Sequence, residues 1–112
     1  MENNEMDAPQ RSELRSQKYR ILSPELDPLR IGSGWAVEDL SKPQVIIEST
    51  FGDSHPGSVG LLDVVEAVRE GVASAGGHGA RYFTTDVCDG EAQGHDGINY
   101  SLPSRDAIAN MI

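Results

Sequence analysis

The feature that most constrains this chain is a strand–helix–strand pattern between Pro43 and Val87. "PQVIIES" opens it. Val45, Ile46 and Ile47 form a continuous β-branched run, the pattern of a strand buried on both faces. Pro43 stands before the run, where its missing N–H does least harm. In "SVGLLDVVEAVREGVASAGG", Leu61, Val65, Val68 and Val72 recur at helical spacing and make one apolar stripe. Ser58 is the expected N-cap, and Gly76 with Gly77 the expected stop. "ARYFTTDV" reads as a second strand centred on Tyr82 and Phe83. Two strands joined through a helix predict a parallel pair with a right-handed crossover. The expected fold class is α/β: a βαβ unit with parallel strands.

The flanks differ in kind. "MENNEMDAPQRSELRSQK", residues 1–18, has charge, Asn, Gln and Pro but almost no large apolar side chain. Such a segment cannot offset its ordering entropy, so a disordered acidic and polar tail is expected. Residues 19–42 read as an irregular connecting arm. Pro24, Pro28, Gly32 and Gly34, with Pro43 at its end, break any helix longer than a turn or two. Trp35 and Leu40 are the expected anchors of this arm, and "WAVEDL" one short helical turn. Residues 43–112 then carry the α/β part. Its last segment, "SLPSRDAIANMI", predicts a helix with Ser101 as cap, Pro103 in the first turn, and Ile108, Met111 and Ile112 on one face.

Charge and length remove several classes of function. The 112 residues make one domain at most. A net charge of −9 argues against a nucleic-acid surface, which needs clustered Lys and Arg, and against an anionic membrane surface. No apolar run approaches the roughly 20 residues of a membrane span. The N-terminus lacks a basic-then-apolar signal pattern. One cysteine cannot form an internal disulfide. A cytoplasmic setting is expected.

Chemistry belongs in the loops. In open α/β sheets, sites gather beyond the carboxyl ends of strands. "TFGDSHPGS" and "DVCDGEAQGHDG" both leave such ends and should lie side by side. Asp53, His55, Asp86, Asp89, Glu91 and Asp96 would converge there, and carboxylates on Gly-rich backbone suit a hard cation such as Mg²⁺. Ordinary turn chemistry accounts for the same Asp and Gly residues and is the commoner reason for them. The second loop is neither an EF-hand, because its glycines sit at the wrong offsets, nor a P-loop, because no Gly-Lys-Ser/Thr follows. Cys88 reads as a small buried residue at a strand end. His78, in "GGHGA", reads as a solvated turn residue, and His95 as a candidate for facing a site.

At these loops the chain resembles the N-terminal part of the dihydroxy-acid dehydratase / phosphogluconate dehydratase family, which includes sugar-acid dehydratases. The resemblance runs from Lys42 to Ala109, and "DGEAQGHDGINYSLPSRDAIA" is its most specific piece. It implies a hydro-lyase that removes water from a 2,3-dihydroxy acid or sugar acid to give a 2-oxo acid. It also implies Mg²⁺ and an iron–sulfur cluster as Lewis acids on the substrate, since hydroxide leaves poorly until a metal takes its charge. By resemblance Asp89 falls on a Mg²⁺ ligand position, with Asp53, His55, Asp86 and His95 as neighbouring candidates. Gly57 stands where many members have a cluster cysteine, and Cys88 matches no cluster position.

The family's remaining cluster cysteines, modified lysine and catalytic serine lie beyond Ile112 in the resemblance. The chain is therefore expected to be an incomplete piece of a larger catalytic domain, truncated or one subunit of a split enzyme. It is expected to be inactive alone. Its expected partners are the remainder of the dehydratase or a homo-oligomer partner, and a small hydroxy acid. "ESTFGDSHPGS" leans towards the sugar-acid branch. The alternative is a non-catalytic interaction or regulatory module derived from that family.

Overall fold

A computed structural model describes residues 14–112. Helices α1 (Arg15–Leu22) and α2 (Leu26–Gly32) and a 3-10 helix (Val37–Ser41) precede strand β1 (Gln44–Ser49). Then come α3 (Pro56–Val59), α4 (Leu61–Ser74), β2 (His78–Phe83), α5 (Asp89–Ala92) and α6 (Ile98–Met111). β1 and β2 form a two-stranded sheet. The Pro43 carbonyl accepts from the His78 N–H at 2.8 Å, and the Ser49 carbonyl from the Thr84 N–H at 2.9 Å. The sequence offset is the same at both ends, as only a parallel pair gives. The βαβ unit expected from the apolar pattern is the fold.

The chain divides into two compact units: one runs to Val45 and includes Val72–Gly79, the other holds Ile46–Gly71 and Ala80–Ile112. In the first, the arm closes on its own polar groups. The Arg20 guanidinium meets Asp27 through two bonds of 2.8 Å each. That pairing is the main reason the Asp27 carboxyl titrates below its ordinary range. Gln17 Nε2 and Arg20 Nη1 donate to the Leu40 carbonyl at 2.8 and 3.3 Å. Residues 15–18, read from sequence as tail, thus form the first turn of α1; residues 1–13 of that tail lie outside the described residues.

Leu40 is 3 % exposed, and Trp35 stacks on His78 with ring centroids 4.0 Å apart. Both serve as anchors, as expected. His78 does not fit its reading as a solvated turn residue. Its side chain is 16 % exposed and its Nδ1 lies 3.3 Å from Asp39. Asp39 also accepts from Lys42 Nζ at 2.9 Å and from the Ala36 N–H at 3.0 Å. Lys42's hydrogen bond is the largest cause of Asp39's lowered pKa. The turn before β2 needs its glycines. Gly76 has φ +90°, and a Cβ on Gly77 would stand 3.0 Å from Val72 Cγ1 and 3.2 Å from the Pro43 carbonyl.

In the second unit, Arg81 of β2 pairs with Glu66 of α4 at 2.7 Å, so α4 lies over the sheet face that carries Arg81. Ile47, on the same face, is 7 % exposed. Ile46 points to the opposite face and is 68 % exposed. The β-branched run is therefore not buried on both faces within these residues, because one helix covers one face of two strands. Phe51 meets Phe83 edge-on at 6.0 Å between centroids. Two caps differ from expectation. Ser58 lies inside α3, whose N-cap is His55. α6 begins at Ile98 rather than at Ser101, which puts Pro103 in its second turn.

Candidate functional site

The loops leaving β1 and β2 belong to the second unit and meet at Asp86. Gly52 makes the approach possible: a Cβ there would stand 2.6 Å from the Asp86 carboxyl carbon. The Asp86 carboxylate accepts from the Ser54 hydroxyl, from the Ser54 N–H at 3.4 Å and from the Ser58 hydroxyl. The Ser54 hydroxyl is the largest influence holding this carboxyl below the usual carboxylate range; partial burial opposes it and Ser58 adds to it.

Ser58 is 3 % exposed and sits between Asp86 and His55. His55 Nδ1 accepts from the Gly57 N–H at 3.1 Å, and its Nε2 lies 3.0 Å from Ser58 Oγ. A neutral imidazole that accepts at Nδ1 carries its proton on Nε2. His55 therefore donates to Ser58, which donates to Asp86. This polarity is the reverse of a hydrolytic triad, in which serine gives its proton to histidine. The chain orients Asp86 and leaves Ser58 without nucleophilic character.

The second cluster is built by α5 and α6. Asp89 opens α5, and its carboxylate accepts from Ser101 Oγ at 2.5 Å and lies 3.3 Å from Arg105 Nη1. Ser101, read from sequence as a helix cap, thus orients Asp89 from inside α6. His95 Nδ1 accepts from the Gly97 N–H at 3.0 Å, and its Nε2 donates to the Glu91 carbonyl at 2.7 Å. Asp53, Glu91 and Asp96 are exposed.

The six acidic and histidine candidates do not gather into one cation site. Among the described residues, no group of three or more His, Cys, Asp or Glu side chains could hold a metal ion. Asp89 alone offers a single carboxylate, whereas Mg²⁺ demands near-octahedral oxygen ligands. Cys88 is half-buried and is the chain's one cysteine, so these residues do not fit an iron–sulfur cluster, which needs several thiolates.

A pocket of about 360 Å³ lies beside these groups. Thr50, His55, Ser58 and Arg105 supply its polar wall, and Leu61 and Val87 part of its apolar wall. Sequence reading singled out His55 but not Ser58 or Arg105 as pocket residues. A hydroxyl carries no periodic signal, and Arg105 lay unmarked inside the family-like piece "DGEAQGHDGINYSLPSRDAIA". No helix among the described residues is long and apolar enough to cross a membrane.

The family model for the N-terminal region of dihydroxy-acid/6-phosphogluconate dehydratases matches residues 42–112. A dihydroxy-acid dehydratase of Pelobacter propionicus is 41 % identical over 81 residues, covering 72 % of this chain and 15 % of that protein. One from Ignicoccus hospitalis is 42 % identical over 95 residues, or 82 % of this chain and 17 % of its own length. One from Pyrococcus abyssi is 43 % identical over 79 residues, or 70 % and 14 %. The match thus spans about one sixth of these relatives. The family-model match begins at residue 42, where the arm gives way to β1, and takes in both loops. On that match, the chain belongs to the dihydroxy-acid/6-phosphogluconate dehydratase N-terminal family.

Proposed function

We propose that this chain supplies one wall of a cytoplasmic hydro-lyase site that converts a 2,3-dihydroxy acid to a 2-oxo acid. The observation that carries this reading is the fixed Asp89 carboxylate, held by Ser101 and Arg105 beyond the end of β2 and beside the pocket of Thr50, His55, Ser58 and Arg105. A carboxylate oriented before the cation arrives suits one ligand of a Mg²⁺ site that other segments complete. The cluster ligands and the proton-transfer groups likewise come from outside these residues, with the remainder of a dehydratase as partner. The names of the relatives favour a dihydroxy acid; the sugar-acid branch draws no support from them.

Asp89→Asn in the assembled enzyme tests the reading. Activity should fall at least about a hundredfold, the upper end of what losing only an outer partner of a metal ligand costs, and more Mg²⁺ should be needed for half-maximal rate. The exposed Asp96→Asn serves as control and should change neither. Equal rate and equal Mg²⁺ dependence in Asp89→Asn would remove Asp89 from the site.

A further inference from the structure

The chain carries a net charge of −9, yet no carboxylate lines the pocket of about 360 Å³, and Arg105 does. The second unit's other arginines, Arg69 and Arg81, both pair with Glu66. Arg105 Nη1 lies 3.3 Å from Asp89 Oδ2, and the Arg105 side chain is 57 % exposed. A guanidinium has more N–H donors, fixed in a fork, than one carboxylate can take, so Arg105 keeps donors for a second. Along α6, Ser101, Arg105 and Ile108 recur at helical spacing and share one face. Ser101 and Arg105 hold Asp89. Ile108, the next along that face, joins Leu61 and Val87 in the pocket wall, and all three are half-buried. The pocket therefore runs from a cation to an apolar end. Of its neutral polar groups, His55 and Ser58 are engaged with each other and with Asp86, and Thr50 remains for a hydroxyl.

We propose that this pocket takes a small dihydroxy acid with its carboxylate on Arg105 and a short hydrocarbon end against Leu61, Val87 and Ile108. Arg105 then stands between two carboxylates, that of Asp89 and that of the substrate, and Thr50 meets a substrate hydroxyl. The apolar end sets specificity. A further hydroxyl placed there gives up its water and finds no hydrogen-bond partner in those three side chains. The site thus prefers an alkyl-tailed acid to a polyhydroxylated one, and Arg105 and Ile108 are the residues of α6 that read the two ends. The inference rests on the hydro-lyase reading for its substrate class, so its test reads binding and not turnover.

The test titrates the purified chain with 2,3-dihydroxybutanoate, its amide, and 2,3,4-trihydroxybutanoate, and reads methyl shifts at Leu61, Val87 and Ile108. The dihydroxy acid should bind at least about tenfold more tightly than its amide, the scale of a charge-assisted pair with arginine. It should also bind about tenfold more tightly than the trihydroxy acid, within what an apolar wall can exact from an added hydroxyl. Arg105→Gln should abolish the preference for acid over amide and leave the amide's affinity unchanged, which a merely structural role for Arg105 would not do. Arg105→Lys should keep part of that preference, and Ile108→Thr should narrow the gap between the two acids. Equal affinities for acid and amide, a preference that survives Arg105→Gln, a trihydroxy acid bound as tightly as the dihydroxy acid, or no shifts at the three methyl-bearing residues would overturn the proposal. Failure here with Asp89→Asn inactive in the assembled enzyme would strike the pocket assignment and leave the hydro-lyase reading. The expected binding pattern with Asp89→Asn fully active would support the pocket assignment and strike that reading.

Discussion

The second unit contains the same local device twice, and the two copies have different consequences. His55-Pro56-Gly57 and His95-Asp96-Gly97 each fold so that the imidazole Nδ1 accepts from the glycine N–H two residues on, at 3.1 and 3.0 Å. His55 caps α3, whose first residues are Pro56 and Gly57, and His95-Asp96-Gly97 stands just ahead of α6. In both, a side chain on the glycine would strike the ring: a Cβ would lie 3.0 Å from His55 Cε1 and 2.5 Å from His95 Cε1. The difference lies in Nε2. His95 gives its proton to the carbonyl of exposed Glu91, and that turn closes on itself. His55 faces the buried hydroxyl of Ser58 and through it Asp86, so this turn is wired to the opposite loop and the pocket. An identical spacing thus makes a plain turn in one place and a linked one in the other, and the third partner decides which.

That contrast can be broken at its hub. Gly52→Ala puts a Cβ into the Asp86 carboxyl and should displace it. The expected cost is about 2 kcal/mol, read as a roughly thirtyfold rise in amide exchange at Ser54 and Gly57. Gly97 exchange should be unmoved. Equal rises at both glycines would mean that the two turns are coupled after all.

Asparagine sharpens the comparison, because its carbonyl can still accept from a nearby N–H but has no second ring nitrogen. His55→Asn strands a buried hydroxyl and should cost about 1 kcal/mol. It should also move the Asp86 titration. His95→Asn frees a carbonyl that water can reach and should cost no more than about 0.5 kcal/mol. A larger loss at His95 than at His55 would contradict the assignment.

The smallest effect is one of pH. Asp86 has a folded pKa below its unfolded value of about 3.9. Its contribution is therefore fully present above that value and is lost as pH falls through the lowered folded pKa. Exchange at the Ser54 amide, corrected for its intrinsic rate, should be flat from pH 7 to about pH 4.5 and rise only below the usual Asp range. A rise already near pH 6 would mean that Asp86 is not held as a carboxylate.

Much of this was legible in the sequence, where the signal was periodic or apolar. The stripe of Leu61, Val65, Val68 and Val72 gave α4, the β-branched run gave β1, and Trp35 and Leu40 were the expected anchors of the arm, whose other large apolar residues, Ile21, Leu22, Leu29 and Val37 among them, are exposed. Polar pairings were not legible. Ser58 and Ser101 each precede an apolar pattern and read as caps, yet each turns its hydroxyl to an aspartate on another element. His78 sits among glycines and reads as a turn, but Trp35 and Asp39, far away in sequence, bury it. The candidate ligands were singled out by residue type, and type alone placed too many carboxylates at one edge; Asp53, Glu91 and Asp96 point to solvent.

The most direct test of the central claim, that these residues form one wall of a site and not a whole one, is turnover by purified Met1–Ile112. The chain would be given a 2,3-dihydroxy acid, Mg²⁺ and iron–sulfur reconstitution conditions, and the 2-oxo acid product followed. The account predicts no product and no bound cluster, because no three His, Cys, Asp or Glu side chains gather to hold a metal ion among the described residues, and one thiolate cannot hold a cluster. Steady formation of the 2-oxo acid by the chain alone would contradict it.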